Sequence, residues 1–287
     1  MAESMRDIKR RIKGITSTKK ITNAMELVSS SKLIKAHVRL QSARPYYHAV
    51  INHTQELMEN LEGMNYPFLE RRKIKKTLCI VICDDRGMSG AYNNNVVKIA
   101  EDLIRDKKKI DFILIGTKAI TYFHGVNAKN VNVIKEYSGI TENSQMFQIK
   151  EICNFIQDTY KNKKADKIQI VYTQFVNNAT QEAQTIQVFP FEKFVHKRTK
   201  KKKVIEFEPS TEDFLDSLIP KYVESCLYGA LVESACSEQA ARRIAMEVAT
   251  DNADDMISQL KNTYNRVRQS AITTELNEII AGVQAVK

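Results

Sequence analysis

The sequence predicts an α/β protein: long N- and C-terminal helices pair as an antiparallel coiled coil, and a Rossmann-like α/β domain is inserted between them. Three observations carry this. Helix breakers are sparse at both ends: the first proline is Pro45, only Gly14 precedes it, and after Pro220 only Gly229 and Gly282 interrupt. Short strand-like apolar runs are confined to the middle of the chain. Charge is segregated, with 11 basic and 3 acidic residues in 1–44 but 7 basic and 12 acidic in 212–287.

The N-terminal helix, expected over about 4–62, opens on Ser4 with Asp7 three residues on, an N-cap with an acidic partner. Ile8, Ile12, Ile15, Met25, Val28, Leu33, Ala36, Leu40 and Ala43 recur at helical spacing. Gly63 and Pro67 are the next stop signals. The middle, 70–195, alternates strands and helices, which indicates a largely parallel sheet. Strands are read at 77–84, 109–116, 131–135, 167–175 and 184–191, and helices at 95–107 and 144–162, with a short one after 116. A charged connector, 196–211, leads to the C-terminal helix, 212–287, with Thr211, Glu212 and Asp213 marking its start. Its apolar stripe runs from Val223 through Leu227, Leu231, Ile244, Val248, Ile257, Leu260, Tyr264 and Val267 to Ile279, and Ala235, Ala240, Ala241, Ala245, Ala249 and Ala253 allow close helix approach. Lys19, Lys32, Asp251 and Asn252 fall near the seam, so the coil is expected to be irregular.

Composition excludes several classes. No window approaches the ~18 apolar residues of a membrane-spanning helix. The start, MAESMRDIKRR, lacks the apolar run of a secretory signal. The five cysteines, at 79, 83, 153, 226 and 236, fit reduced thiols, and none forms a CxxC pair. The histidines show no HExxH or HxH spacing, so no metal site is expected.

The loop DDRGMSGAYNNN follows a strand and precedes a helix, where phosphates often bind. It has neither GxxxxGK[ST] nor GxGxxG, and Ser89 sits in GMSG rather than GxSxG. Asp84 and Asp85 read better as turn-capping acids than as metal ligands. No catalytic group and no cofactor is expected. The run Lys197, Arg198, Lys200–Lys203 either contacts phosphate or is a solvated loop. A basic N-terminal helix could serve a nucleic-acid binder, but bZIP-type heptads do not follow it, and the acidic C-terminal helix is a nearer partner for that charge. Besides a nucleic-acid binder, an α/β enzyme with a pocket near Asp84–Asn95 stands as an alternative.

The two ends carry a resemblance. ITTELNEIIAG (272–282) fits the signature I-T-x-E-x-x-E-[IV]-[IV]-x-G at every defined position, and ITSTKKITNAMELVSSSKL (15–33), EQAARRIAMEVATDNADDMI (238–257), YNRVRQSAIT (264–273) and DRGMSG (85–90) are similar to the same family. The chain resembles, end to end, the gamma subunits of the ATP synthase catalytic sector. The resemblance implies a non-catalytic rotor shaft. Its partners would be three alpha and three beta subunits, the epsilon subunit and the membrane proteolipid c-ring, with no nucleic acid. It implies that Met25, Arg242, Arg268, Gln269, Thr273, Glu275 and Glu278 contact beta subunits, and that Phe207 and Glu208 face the proteolipid ring or epsilon. Lacking a transit peptide, the chain is expected to be a bacterial subunit, peripheral on the cytoplasmic face of the cell membrane. Cys226 and Cys236, ten apart on one predicted helix, cannot easily pair, and the chloroplast-type dithiol insertion is missing.

Overall fold

The computed structural model describes residues 4–61, 66–70, 72–105, 109–126, 131–141, 145–191, 207–208 and 210–285. The order is α1 (Met5–Asn60), β1 (Lys76–Ile82), α2 (Tyr92–Arg105), β2 (Lys109–Ile115), α3 (Thr117–His124), β3 (Val131–Tyr137), α4 (Met146–Lys161), β4 (Lys167–Phe175), β5 (Gln181–Phe189) and α5 (Thr211–Ala285). Among the described residues no helix is long and apolar enough to cross a membrane. The chain divides into two compact units, Met1–Ser30 with Arg242–Lys287, and Ser31–Ala241.

The first unit is built on α1 and α5 alone. The Ser4 side chain caps α1 by accepting from the Asp7 amide while its hydroxyl donates to the Asp7 carboxylate at 2.7 Å. Ile8, Thr22, Ser29, Met246, Ala253 and Ile257 are buried. Their seam is polar midway: Lys19 donates to Asp254 at 2.6 Å, and the Thr22 and Thr250 hydroxyls lie 2.8 Å apart. Lys19 opposite Asp254 and Thr22 opposite Thr250 make the pairing antiparallel. Lys19, expected as an irregularity, is accommodated by an acid on the partner helix, whereas Asp251 and Asn252 are exposed.

The second unit holds a five-stranded sheet of order β3-β2-β1-β4-β5. β1, β2, β3 and β4 run parallel to one another, and β5 is antiparallel to β4. The central strands LCIVI, FILI and IVY are apolar on both sides because both faces are covered. Leu78, Ile80, Ile82, Ile113 and Ile115 point to α4 and to the α1 and α5 residues of this unit, including Tyr47, Ile51, Tyr222, Val223 and Leu227. Cys79, Val81, Phe112 and Leu114 point to α2 and α3 through Val96, Val97, Ala100, Ala119 and Phe123. The edge strands alternate half-buried and exposed positions, most regularly in β3. All five cysteines are buried and free. Burial pushes the Cys79, Cys226 and Cys236 thiols up to about 12, so they stay protonated and inert.

Both helices keep an internal proline, Pro45 in α1 and Pro220 in α5. α5 is capped by Ser210, whose hydroxyl accepts from the Asp213 amide and donates to its carboxylate at 2.6 Å. The cap therefore lies one residue before Thr211. The connector is described only in part, and the Lys200–Lys203 run lies outside the described residues.

Candidate functional site

The strand-end loop after β1 uses up its own chemistry. Asp84 is fully buried and accepts from the Gly87 amide, the Ser89 hydroxyl and the Asn93 side-chain amide at 2.7–3.0 Å. The Asn93 carbonyl returns the bond by accepting from the Asp84 amide at 3.0 Å. Gly87 and Gly90 take left-handed conformations, as does Met88. Asp85 accepts from the Thr117 amide and hydroxyl, the Gly139 amide and the Thr141 hydroxyl. Burial works to raise the Asp85 carboxyl, but the Gly139 and Thr117 amides and the two hydroxyls outweigh it and hold it below its ordinary value. Asp84 fastens its own turn, as its reading as a turn cap expects, whereas Asp85 caps the start of α3 and ties it to the segment after β3. Among the described residues no cluster of His, Cys, Asp and Glu could hold a metal ion.

In open α/β sheets a ligand usually enters at the carboxyl ends of the strands where the order reverses. Here that point lies between β1 and β4, and α5 occupies it. The Tyr92 hydroxyl donates to the Ser234 carbonyl at 3.3 Å, the Ser234 hydroxyl accepts from the Thr173 amide at 3.4 Å, and the Ser237 hydroxyl donates to the Thr173 carbonyl at 3.2 Å. A cleft of about 400 Å³ lies elsewhere, lined by Lys32, Lys35 and Arg39 of α1 and by Val232, Ala235 and Gln239 of α5.

The residues singled out for beta-subunit contact fall into two settings. Arg268, Gln269, Thr273, Glu275 and Glu278 are all exposed, on a stretch of α5 where every residue from Arg268 to Gly282 is exposed. The cause is length. Met5 lies as far before Lys19 as Arg268 lies after Asp254, so antiparallel α1 runs out of partner at Arg268. That stretch leaves Ile272, Leu276, Ile279 and Ile280 uncovered, at 48–61% exposure. At positions i, i+4, i+7 and i+8 they form one apolar stripe on a helix that carries polar residues around it. Met25 is half-buried on α1, and Arg242 is buried at 5% exposure. Phe207 packs its ring 5.0 Å from that of Phe214, and Glu208 is exposed.

One group escaped sequence reasoning. Glu233 is buried and binds Arg44 and Tyr47 of α1 and the Phe175 amide of β4. Its signal was an acid inside the otherwise small and apolar ALVESACS, with Arg44 and Tyr47 three apart on α1.

The sequence model of the family described as ATP synthase matches residues 4–286. The chain is 42% identical, over 292 aligned positions and the whole of both chains, to the ATP synthase gamma chain of Alkaliphilus metalliredigens. It is 39% identical over the whole of both chains to the sodium ion specific ATP synthase gamma chain of Acetobacterium woodii. Its fold is similar to a chain in the mitochondrial ATP synthase of Euglena gracilis, with a TM-score of 0.71 and 18% identity over 98% of this chain and 94% of that one. It is also similar to a chain of the Tetrahymena thermophila central stalk and c-ring, with a TM-score of 0.61 and 22% identity over 80% of this chain and 99% of that one.

Proposed function

Because this chain belongs to the ATP synthase gamma-chain family, we propose that it is the central rotor shaft that couples ion-driven rotation of a membrane proteolipid ring to nucleotide chemistry on catalytic beta subunits. The chain itself is non-catalytic. Its asymmetric tip touches three beta subunits differently and biases each toward a different nucleotide affinity, which is population shift by differential contact. ATP hydrolysis runs the same coupling backwards.

The observation that carries this reading is the uncovered end of α5. An apolar stripe of four large aliphatic residues on an unpaired helix needs a surrounding surface, and a collar of alpha and beta subunits supplies one. Arg268, Gln269, Thr273, Glu275 and Glu278 surround the stripe and make polar contacts with beta loops, and Met25 and Arg242 belong to the same interface lower on the pair. Phe207 and Glu208, with the Lys-rich connector, face epsilon and the proteolipid ring. The chain sits peripherally on the cytoplasmic face of a bacterial cell membrane. The three domains with their connector, 1–62, 70–195, 196–211 and 212–287, correspond to helix, α/β body, seating segment and helix.

Co-purification with alpha and beta subunits, followed by an assay of hydrolysis coupled to rotation, tests the proposal. A complex that assembles and hydrolyses ATP as well without this chain's α5 end would refute it.

A further inference from the structure

β4 outruns β1. The β1–β4 ladder ends at the pair Val81–Val171, while β4 continues to Phe175. On its other side β4 stays paired with β5 as far as Phe175–Gln181. Thr173 and Phe175, two apart, turn their backbone groups to the side that β1 no longer covers. Both are buried, so these groups would be costly to leave unpaired.

Side chains of α5 stand in for the missing strand. Ser234 Oγ accepts from the Thr173 amide and Ser237 Oγ donates to the Thr173 carbonyl, while Glu233 Oε2 accepts from the Phe175 amide at 2.8 Å. The Phe175 carbonyl accepts from Arg44 at 3.0 Å, and Arg44 and Tyr47 Oη both donate to Glu233 Oε1, at 2.9 and 2.6 Å. Glu233, Ser234 and Ser237 lie at i, i+1 and i+4, on one face of α5. Every residue in this set belongs to the same compact unit.

Apolar packing against small residues such as Ala230 and Ala240 brings α5 close without fixing its rotation, because the hydrophobic effect has no direction. Hydrogen bonds to a strand backbone do have direction, and they set both the height and the angle of the helix. We infer that Glu233, Ser234 and Ser237 form a drive clamp through which torque passes between the α/β body and α5. They are positioning residues, and the inference rests on the rotor reading.

The test uses the whole complex, reconstituted in vesicles with this chain or with its Glu233→Gln or Ser234→Ala/Ser237→Ala variants. Ion uptake per ATP hydrolysed and the angular fluctuation of a bead attached to the chain are read together. The clamp predicts near-normal assembly and hydrolysis, with ion uptake per ATP reduced severalfold and angular fluctuation broadened. Variants that assemble and match the parent in both readouts overturn it. Where Glu233→Gln or the double variant does not assemble, Ser237→Ala alone, which deletes one hydroxyl, gives the same two readouts. The arms separate the two claims: if the complex with the parent chain hydrolyses ATP without ion uptake, the rotor reading fails, and if that complex couples and those with the variants couple equally, the clamp fails.

Discussion

Gly229 of α5 lies against the ring of Tyr47 of α1, so close that a Cβ at Gly229 would sit 2.9 Å from Tyr47 Cδ2. The ring cannot swing aside freely, because its hydroxyl donates to Glu233 at 2.6 Å. Gly229→Ala therefore gains about 1 kcal/mol of helix propensity but forces overpacking that costs about 1–3 kcal/mol. The expected net result is destabilisation, read as a midpoint lower by roughly 2–4 °C per kcal/mol. An unchanged or higher melting temperature would show that the helices separate at no cost.

The Lys19–Asp254 pair is partly exposed, at 35% and 54% of the side chains. A pair of this kind is worth about 0–1 kcal/mol and is screened by salt. Asp254→Asn should lower stability by less than about 1 kcal/mol at low salt, with the difference shrinking in high salt. Burial of Ile8, Ala253 and Ile257 carries this seam instead, and Ile8→Ala should cost about 2–5 kcal/mol in denaturant melts.

Asp85 gives a pH signature. Its carboxyl is held below the ordinary range, so the charged form is favoured by folding. Its contribution is complete above the unfolded value of about 3.9 and disappears as pH falls below that value through the depressed one. Asp85→Ala should cost about 1 kcal/mol at neutral pH, the size of a lost cap, and should flatten the acid limb of a stability–pH profile. An acid limb identical to that of the parent chain would contradict the assignment.

The parts of the fold read best from sequence are those whose pattern is local. FILI and KIQIVYTQF are buried on both faces, so their runs are continuous, and β4 falls where expected, at Lys167–Phe175. β5 begins at Gln181, three residues before the expected start at Gln184, because an edge strand needs apolar residues on one face only. β3 likewise continues through Glu136 and Tyr137. α2 begins at Tyr92 rather than near 95, since the Asn93 side chain serves Asp84 from inside the first turn. The Asp84 cap was legible because its partners Gly87, Ser89 and Asn93 lie within the same loop, whereas the partners of Asp85 come from Thr117, Gly139 and Thr141, far along the chain. Glu233, Ser234 and Ser237 were not, because their partners Arg44, Tyr47, Thr173 and Phe175 are brought near only by the tertiary fold. The exposed end of α5 was hidden too: its stripe has the same period as the buried part, and only the register of α1 shows where cover ends.

Arg268 and Gln269 are exposed, so Arg268→Ala and Gln269→Ala should change the stability of the isolated chain by no more than about 0.5 kcal/mol. In a complex with alpha and beta subunits the same changes should weaken assembly or coupling, with a charge-assisted hydrogen bond worth about 1.5–3 kcal/mol each. Stability of the free chain and yield of the complex, measured side by side, check this. Unchanged assembly and coupling would remove both residues from the interface.

The most direct measurement attaches a bead to this chain in an immobilised complex with alpha and beta subunits and supplies ATP. Asn178→Cys places a thiol on the exposed β4–β5 turn, and the five buried native thiols leave it the preferred point of attachment. The rotor account predicts that the bead turns in one direction, with pauses set by the three catalytic subunits. A bead that stays still while the complex hydrolyses ATP at its full rate would contradict it.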